Sequence, residues 1–419
     1  MTAAARTIAL YWHNGRSLGH SSRAAKVARY LLRSPDPVSI AGITGAYRGL
    51  DLLPPDVDVI KIPSFANFDD PSGWNLRLRL AMDDQALHRA RADMITTFLG
   101  HYRPEVLMSD HIPRGTEDEL VPALEAGYAE HAVLSLRGVL FDRDKTLRKY
   151  FGTPGRGRWL LENYCQFNVH THPEVFDLAD YYQIPDEAAD RLHYTGYLAE
   201  PYTVSRDQAR AQTGTEPDER LIVAAMGGGQ GAGDLWKSLS RALNRARDRF
   251  DRALLVTGPY LEPAAQRALR ELWQDDKAVE IRAYEPDLLP WMRAADLFIG
   301  AAGANSLGEV LATRVNAIAI PRQIREIEQQ VHSQRLADLG LIRKAELPDV
   351  LDGALDRLVL LALAEPLAPD GARFLWDGGS YDRHLPGGPR GTVCACTTSR
   401  TASAVVGTPV APGASGGHR

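Results

Sequence analysis

Short apolar segments alternate with segments of helical periodicity along most of this chain. Apolar runs predict strands in the first half at 7–12, 38–42, 57–62, 106–109, 132–136 and 166–169, and in the second half at 221–225, 253–257, 279–282, 297–300 and 317–320. Between them, apolar residues recur at helical spacing, most regularly over 21–33, 81–99, 235–249 and 263–273. Strands that alternate with helices predict parallel, doubly wound sheets.

A polar connection near residues 196–220 divides this pattern into two halves. We therefore predict an α/β fold with two Rossmann-like domains facing each other across a cleft, an N-terminal domain over 1–200 and a C-terminal domain over 201–365. Residues 366–419 form a C-terminal extension. Most of it is expected to be disordered, because the chain becomes rich in Gly, Pro, Ser and Thr and loses apolar periodicity after about residue 382.

Charge and cysteine content exclude several classes of protein. The formal net charge is −5 over 419 residues, so no overall field recruits nucleic acid or an anionic membrane. Three cysteines do not make a disulfide framework or a zinc site, and no metal site is expected. No run of 18 apolar residues predicts a transmembrane helix, and the N-terminus is too polar for a secretory signal. We expect a cytoplasmic protein, with peripheral contact to a membrane left open.

A polar loop containing Gly15 and Gly19 follows the first predicted strand. Ligands of doubly wound sheets bind at the carboxyl ends of strands, so this loop is expected to lie at the cleft. Its glycines allow tight turning and a close approach of the backbone to a ligand. His20, near the start of the next helix, can act as a general base at neutral pH. An incidental histidine in a capping loop is the alternative.

A second glycine-rich loop, 227–233, follows the first strand of the second half. Its backbone N–H groups could cradle phosphate oxygens, and Gln230 could reach a phosphate or a sugar. The loop lacks the Lys-Ser/Thr of a P-loop, and no acidic residue follows at the spacing of a dinucleotide site. The alternative is a glycine-rich turn that serves packing alone.

The segment from 294 to 342 combines small residues, a carboxylate and two amides. Gly303 and Ser306 lie where a buried strand turns into a helix, whose N-terminus offers unpaired N–H groups and a positive dipole end. Glu309 can accept both hydroxyls of a ribose, and the amides of Gln329 and Gln330 can bond sugar hydroxyls. These features predict a sugar-nucleotide site, and an ordinary βαβ unit with a glycine-rich turn is the alternative.

Taken together, these motifs resemble those of the GT-B glycosyltransferases over roughly residues 7–365. Four segments are similar to motifs of the peptidoglycan UDP-GlcNAc transferase type: Leu18-Gly19-His20, Gly228 to Ala232, Ala302 to Glu309, and Gln329-Gln330. Gly19 to Arg23 also matches the Gly-His-x-x-Arg loop of a bacterial group of glycosyltransferases.

The resemblance implies a nucleotide-diphosphate sugar, such as a UDP- or dTDP-sugar, as co-substrate of the C-terminal domain, with no metal or further cofactor. The donor-binding residues would be Gly227, Gly228, Gly229, Gln230, Gly303, Ser306, Glu309, Gln329 and Gln330. The N-terminal domain would bind the acceptor through its loop with Gly15, Gly19 and Arg23. His20 would be the catalytic base, and Asp110 is a further candidate catalytic residue near the cleft.

The implied reaction moves a sugar to a hydroxyl acceptor. Displacement by a deprotonated hydroxyl predicts inversion at the anomeric carbon. No strong membrane-binding patch is evident in the sequence, which favours a small-molecule acceptor in secondary, antibiotic metabolism. Three alternatives stay open: a sugar-nucleotide hydrolase of the same fold, a fold-related 2-epimerase, and a cell-envelope transferase with a lipid-linked acceptor of the peptidoglycan type.

Overall fold

The computed structural model describes residues 5–13, 19–46, 49–64, 80–151, 154–229, 231–321 and 327–387. It contains two separate parallel sheets, each covered by helices. This confirms the predicted α/β fold with two Rossmann-like halves. The boundary predicted at residue 200 falls between the last strand of the first sheet and the first strand of the second.

The N-terminal sheet has seven parallel strands in the order β3-β2-β1-β4-β5-β6-β7. The strands are β1 Arg6–Trp12, β2 Val38–Thr44, β3 Val57–Lys61, β4 Val106–Asp110, β5 His131–Leu136, β6 Gln166–Val169 and β7 Leu192–Tyr194. The helices are α1 Gly19–Leu31, α2 Asp84–Tyr102, α3 Val121–Glu125, α4 Arg143–Thr146, α5 Pro154–Asn163, α6 Leu178–Tyr182 and α7 Asp186–Ala189.

The C-terminal sheet has six parallel strands in the order β10-β9-β8-β11-β12-β13. The strands are β8 Leu221–Ala225, β9 Arg252–Val256, β10 Val279–Arg282, β11 Leu297–Ala301, β12 Ala317–Ile320 and β13 Arg343–Lys344. The helices are α8 Arg206–Thr213, α9 Gly233–Arg245, α10 Pro263–Leu272, α11 Leu289–Ala294, α12 Ala304–Thr313, α13 Glu328–Asp338, α14 Leu347–Leu351 and α15 Leu355–Ala364.

The central strands read as continuous apolar runs because helices cover both faces of each sheet. Every residue of β4, β5 and β11 is buried. The two short edge strands, β7 and β13, were not predicted. They have three and two residues, and none of them is fully buried, so they leave no apolar run in the sequence.

In each sheet the strand order changes direction between one pair of neighbouring strands. The site lies at the ends of these two pairs. In the N-terminal sheet the reversal lies between β1 and β4, which pair directly from Ile8 to Tyr11. In the C-terminal sheet it lies between β8 and β11, which pair up to Ala225 and Gly300. Loops leave in opposite directions at such a point and open a crevice at the carboxyl ends of the strands, where ligands bind.

The first part of the predicted C-terminal extension, residues 366–387, is folded, including the first residues after 382. Short helical turns form at Ala372–Phe374 and Tyr381–His384. Trp376 stacks on Tyr30 of α1 with a centroid distance of 5.2 Å, so the chain returns from the C-terminal domain to the N-terminal domain. Aromatic side chains anchor this segment, and their spacing follows no helix or strand period. Residues 388–419 lie outside the described part of the chain.

Candidate active site

His20, Arg23 and Asp110 form one cluster where the first sheet reverses its order. His20 and Arg23 lie on the first turns of α1, and Asp110 is the last residue of β4. His20 Nδ1 lies 2.5 Å from Asp110 Oδ2. Arg23 donates from Nε and Nη2 to the two oxygens of the same carboxylate, at 2.6 and 3.0 Å. Three residues that the sequence analysis singled out separately are therefore in contact.

The hydrogen bond to Asp110 fixes the tautomer of His20. A carboxylate can only accept, so Nδ1 carries the hydrogen and Nε2 keeps its lone pair. Arg23 Nη2 is also 3.1 Å from Nδ1, but the shorter contact to the carboxylate decides the position of the hydrogen. The hydrogen bonds of His20 to described residues all involve Nδ1 and none involves Nε2. The Asp110 carboxylate thus orients the His20 imidazole as a general base, and Nε2 is suited to accept a proton from a bound hydroxyl.

Asp110 stays ionised despite its burial. Burial alone would raise the pKa of this carboxyl, but the charges of Arg23 and His20 and their hydrogen bonds outweigh it and hold the pKa well below its ordinary value. The carboxylate can therefore stabilise an imidazolium at His20 when the ring takes up a proton.

Two further histidines, His13 and His111, pack around His20. The His13 ring meets the His20 ring edge-on at a centroid distance of 4.1 Å. Burial, followed by the charge of His20, lowers the pKa of His13 to about 3. Burial, followed by the charges of Arg137 and His20, lowers the pKa of His111 well below its ordinary value. Both rings are neutral at physiological pH.

A buried ion pair supports the floor of this site. Arg91 of α2 and Glu119 make two hydrogen bonds of 2.5 and 2.6 Å. Tyr11 of β1 donates to Glu119, and Arg91 also donates to the carbonyl of Pro63. Arg91 is 0% and Glu119 2% exposed. The network ties β1, α2 and the loop after β4 together, and Tyr11 pairs with Ser109, the residue before Asp110.

The C-terminal domain faces this cluster with the N-terminus of α12. Gly303 is the N-cap residue, and as a glycine it has no side chain to cap the first N–H groups of the helix. Ser306 and Glu309 follow on the first turns. Glu309 Oε1 accepts a hydrogen bond of 3.1 Å from Lys26 of α1. The predicted ribose ligand therefore lies against the helix that carries His20.

The glycine-rich loop lies at the neighbouring strand end, after β8. Gly227, Gly229 and Gly231 all have positive φ, between 61° and 82°. A Cβ on Gly229 would lie 2.2 Å from the carbonyl oxygen of Thr257, so glycine is required there for packing. The N–H of Gly231 donates to Glu262 at 2.9 Å. Packing thus explains part of the glycine content, and a phosphate-binding role stays a prediction.

The predicted sugar-binding amides begin α13. Gln329 and Gln330 follow Glu328, whose carboxylate pairs with Arg137 of the N-terminal domain at 2.8 Å. Gly228 lies in the glycine-rich loop against Tyr260, and Gly19 is the first residue of α1. Gly15 and Gln230 lie outside the described residues.

Sequence reasoning missed Lys26, Arg137 and His111. Arg137 and His111 directly follow β5 and β4, so the rule that ligands bind at the carboxyl ends of parallel strands would have selected both. His111 also has a φ of 66°, a left-handed conformation that is uncommon for a residue other than glycine. No sequence motif marks Lys26, because it is a polar residue of a predicted helix, where polar residues are common.

His332 lies buried where α13 meets the N-terminal domain. Its ring is 6.1 Å from that of Phe176 and 5.9 Å from that of Tyr197. Neither ring nitrogen has a hydrogen-bond partner in the part of the chain that the structure describes. Burial, followed by the charge of Arg137, lowers the pKa of His332 to about 3. The ring is therefore neutral when the two domains are packed together.

Acid is expected to weaken this contact through His332. The pKa rises from about 3 in the fold to the ordinary 6.5 when the ring is exposed. The stability is therefore complete above pH 6.5 and is lost as the pH falls toward 3. At pH 5 the loss from this residue is about 2 kcal/mol. The measurement is the free energy of unfolding at pH 7.5 and pH 5 for wild type and His332→Leu.

The substitution should remove part of the pH dependence, since leucine has no proton to gain. His101→Leu is the control, because His101 is exposed at the end of α2. Identical pH dependence in wild type and His332→Leu would contradict the assignment.

Two parallel-sheet domains with a site between their strand-order reversals define the GT-B class of fold. Residues 222–370 match the model of the glycosyltransferase family 28 C-terminal domain. No helix in the described ranges has the length and apolar character needed to span a bilayer. The same ranges contain no group of three or more His, Cys, Asp or Glu side chains arranged to hold a metal ion.

The chain is similar to curated proteins named UDP-N-acetylglucosamine--N-acetylmuramyl-(pentapeptide) pyrophosphoryl-undecaprenol N-acetylglucosamine transferase. The protein of this name from Carboxydothermus hydrogenoformans is 33% identical over 132 residues, 31% of this chain and 34% of the relative. The one from Nocardioides sp. is 30% identical over 198 residues, 45% of this chain and 53% of the relative. The chain thus spans between a third and about half of the length of these relatives.

Solved structures share the fold over almost the whole chain. The calicheamicin glycosyltransferase CalG4 aligns with a TM-score of 0.59 at 14% identity, over 91% of this chain and 96% of that one. Acinetobacter baumannii MurG aligns with a TM-score of 0.55 at 16% identity, over 89% and 97%. The UDP-GlcNAc 2-epimerase from Methanocaldococcus jannaschii aligns equally well, with a TM-score of 0.55 at 12% identity, over 90% and 98%. These likenesses concern the fold alone.

Proposed function

We propose that this protein is a glycosyltransferase that moves a sugar from a UDP-sugar to a hydroxyl acceptor. The observation that carries the proposal is the His20–Asp110 pair, which faces the N-terminus of α12 across the cleft. One side of the cleft offers a proton acceptor, and the other offers a positive helix end for a departing diphosphate. Glu309 on the same helix is the ribose ligand in this proposal.

The reaction follows from these groups. His20 Nε2 takes the proton of the acceptor hydroxyl while the oxygen attacks the anomeric carbon. The bond from that carbon to the diphosphate oxygen breaks, and the diphosphate leaves with its electron pair toward the N-terminus of α12. Asp110 stabilises the imidazolium that forms at His20. A single displacement of this kind inverts the anomeric configuration. Because the helix end and nearby arginines supply positive charge, the proposed reaction uses no metal ion.

The proposed donor is UDP-N-acetylglucosamine, which the names of the curated relatives contain. Gln329 and Gln330 lie at the start of α13 and are the proposed ligands of the sugar hydroxyls. Ser306 and the glycines at 227–229 and 303 are the proposed diphosphate contacts.

The acceptor is proposed to bind at the N-terminal domain, next to His20. The relatives' names specify a pyrophosphoryl-undecaprenol-linked acceptor, and this favours a lipid-linked acceptor over the antibiotic-type small molecule expected from the sequence. In this proposal the protein acts at the membrane surface from the cytoplasmic side. Assays with a lipid-linked muramoyl pentapeptide and with a panel of small phenols and aglycones separate the two acceptor classes.

Glu309→Gln tests the donor site. We expect UDP to bind this variant at least tenfold more weakly than wild type, because hydrogen bonds to a charged group contribute about 1.5–3 kcal/mol. The loss should be smaller for 2′-deoxy-UDP, which lacks one of the hydroxyls that the carboxylate would accept. Isothermal titration calorimetry measures both affinities.

Glu346→Gln is the matched control. Glu346 also pairs with a lysine, Lys344, but lies at the far edge of the second sheet, so its loss should leave UDP binding unchanged. No binding of UDP, dTDP or GDP to the folded wild type would refute the proposed function. Release of free sugar from UDP-N-acetylglucosamine at the same rate with and without acceptor would identify a hydrolase instead.

A further inference from the structure

An ion pair between the domains joins Arg137 to Glu328. Arg137 follows β5 in the N-terminal domain, and Glu328 is the first residue of α13. Arg137 Nη1 lies 2.8 Å from Glu328 Oε2, and the two side chains are only 12% and 10% exposed. Both charges have lost most of their hydration, and such a pair contributes little net stability compared with apolar packing. Its position at the cleft therefore points to a role in binding.

Arg137 lines a small cavity between the domains. The cavity is narrow and partly open to solvent. Arg23, Arg137 and His170 line it from the N-terminal domain, and Ala304, Asn305 and Gly308 of α12 line it from the other side. The walls thus bring together two guanidinium groups and the N-terminus of a ten-residue helix. All three favour an anion.

Arg23 and Arg137 differ in their ionic partners. Arg23 is bound to Asp110 by two hydrogen bonds within its own domain, and His20 depends on the same carboxylate. Arg137 pairs instead with a carboxylate of the opposite domain, Glu328. Arg137 can therefore change partner without disturbing the catalytic pair.

We propose that Arg137 binds the diphosphate of the donor, after exchanging Glu328 for it. The exchange rests on the proposed function. A diphosphate carries more negative charge than one carboxylate and can accept two parallel hydrogen bonds from a guanidinium, so it competes well for Arg137. The same diphosphate repels the Glu328 carboxylate. Once released, Glu328 lies beside Gln329 and Gln330 and can accept a hydroxyl of the sugar. Arg137 thereby links donor binding to the closure of the cleft.

The exchange predicts opposite effects from the two ends of the ion pair. Arg137→Met should weaken UDP binding about tenfold or more and leave uridine binding unchanged, because uridine has no phosphate. Glu328→Gln should strengthen UDP binding a few-fold, because the competing carboxylate is gone. Arg137→Lys should fall between wild type and Arg137→Met, since ammonium keeps the charge but not the paired donors. Calorimetry gives the UDP affinities, and ligand-observed NMR gives those of uridine.

A double variant covers the case in which Arg137→Met leaves Glu328 unpaired and fails to fold. Arg137→Met/Glu328→Gln removes both charges and should bind UDP as weakly as Arg137→Met. A purely structural ion pair would give effects of the same sign at both of its ends. Equal weakening of UDP and uridine binding in Arg137→Met, or weaker UDP binding in Glu328→Gln as well, would therefore overturn the proposed exchange. Unchanged UDP binding in Arg137→Met would also overturn it while leaving the proposed function intact. The absence of UDP binding to wild type would remove both.

Discussion

Replacing His20 by alanine is expected to lower kcat about a thousandfold while the nucleotide sugar still binds. A positioned general base contributes on the order of 10² to 10⁴ in rate. In this protein His20 is the imidazole whose Nδ1 is held at 2.5 Å by Asp110 and whose Nε2 takes part in none of its hydrogen bonds to described residues. Steady-state kinetics with UDP-N-acetylglucosamine and an acceptor give kcat, and calorimetry gives the donor affinity of the same variant.

Asp110→Asn tests the support of this base. The substitution keeps the shape of the side chain, but removes the charge that stabilises the imidazolium and allows the wrong tautomer of His20. We expect a loss in kcat of about a hundredfold or more. Because Arg23 loses its ionic partner as well, the thermal stability of the variant has to be measured alongside. His101→Ala is the control with full activity expected. A His20→Ala variant with wild-type kcat would show that another group accepts the proton.

Arg91→Met is expected to cost about 3–5 kcal/mol of unfolding free energy. The substitution leaves Glu119, which is 2% exposed, as a charge without its ionic partner in the core. Burial and the charge of Glu119 raise the pKa of Tyr11 well above its ordinary value, so the phenol stays protonated and donates to Glu119. One neutral donor does not replace the guanidinium. Urea unfolding followed by circular dichroism measures the effect, with separate fits for two domain transitions.

The double variant Arg91→Met/Glu119→Gln should recover part of this loss, because it removes both buried charges. Arg158→Met breaks an exposed pair with Glu162 on α5 and should leave the stability nearly unchanged. A loss in Arg91→Met no larger than that in Arg158→Met would contradict the view that this ion pair holds the floor of the site. Reduced kcat in the double variant would show that the network also positions Asp110.

The sheets were predictable from local pattern, except for one short edge strand in each. Strands such as β8 and β12 begin and end where the apolar runs predict, because a strand covered on both faces is apolar along its whole length. The edge strands β7 and β13 have partly exposed residues and leave no such run. The folded segment with Trp376 and Tyr381 escaped prediction because its stability comes from packing on α1 and β6.

Candidate site residues can be selected from the sequence where the selection depends on local position. His20 and Glu309 follow strands at helix starts, and this position alone predicts ligand binding in doubly wound sheets. The pairing of His20 with Asp110, 90 residues further on, depends on β1 lying next to β4. Sequence spacing contains no information on this neighbour relation.

The sequence by itself determined the fold class with its two parallel-sheet domains, and it supplied the candidate ligands as predictions, because apolar periodicity and glycine or carboxylate positions are local properties of the chain. Only the tertiary structure decided which of them act together. It paired Lys26 with Glu309 and Arg137 with Glu328 across the cleft, and it buried His332 without a hydrogen-bond partner among the described residues. Charge partners, tautomers and shifts in pKa depend on distances of a few ångströms between residues far apart in the chain, and folding alone sets those distances.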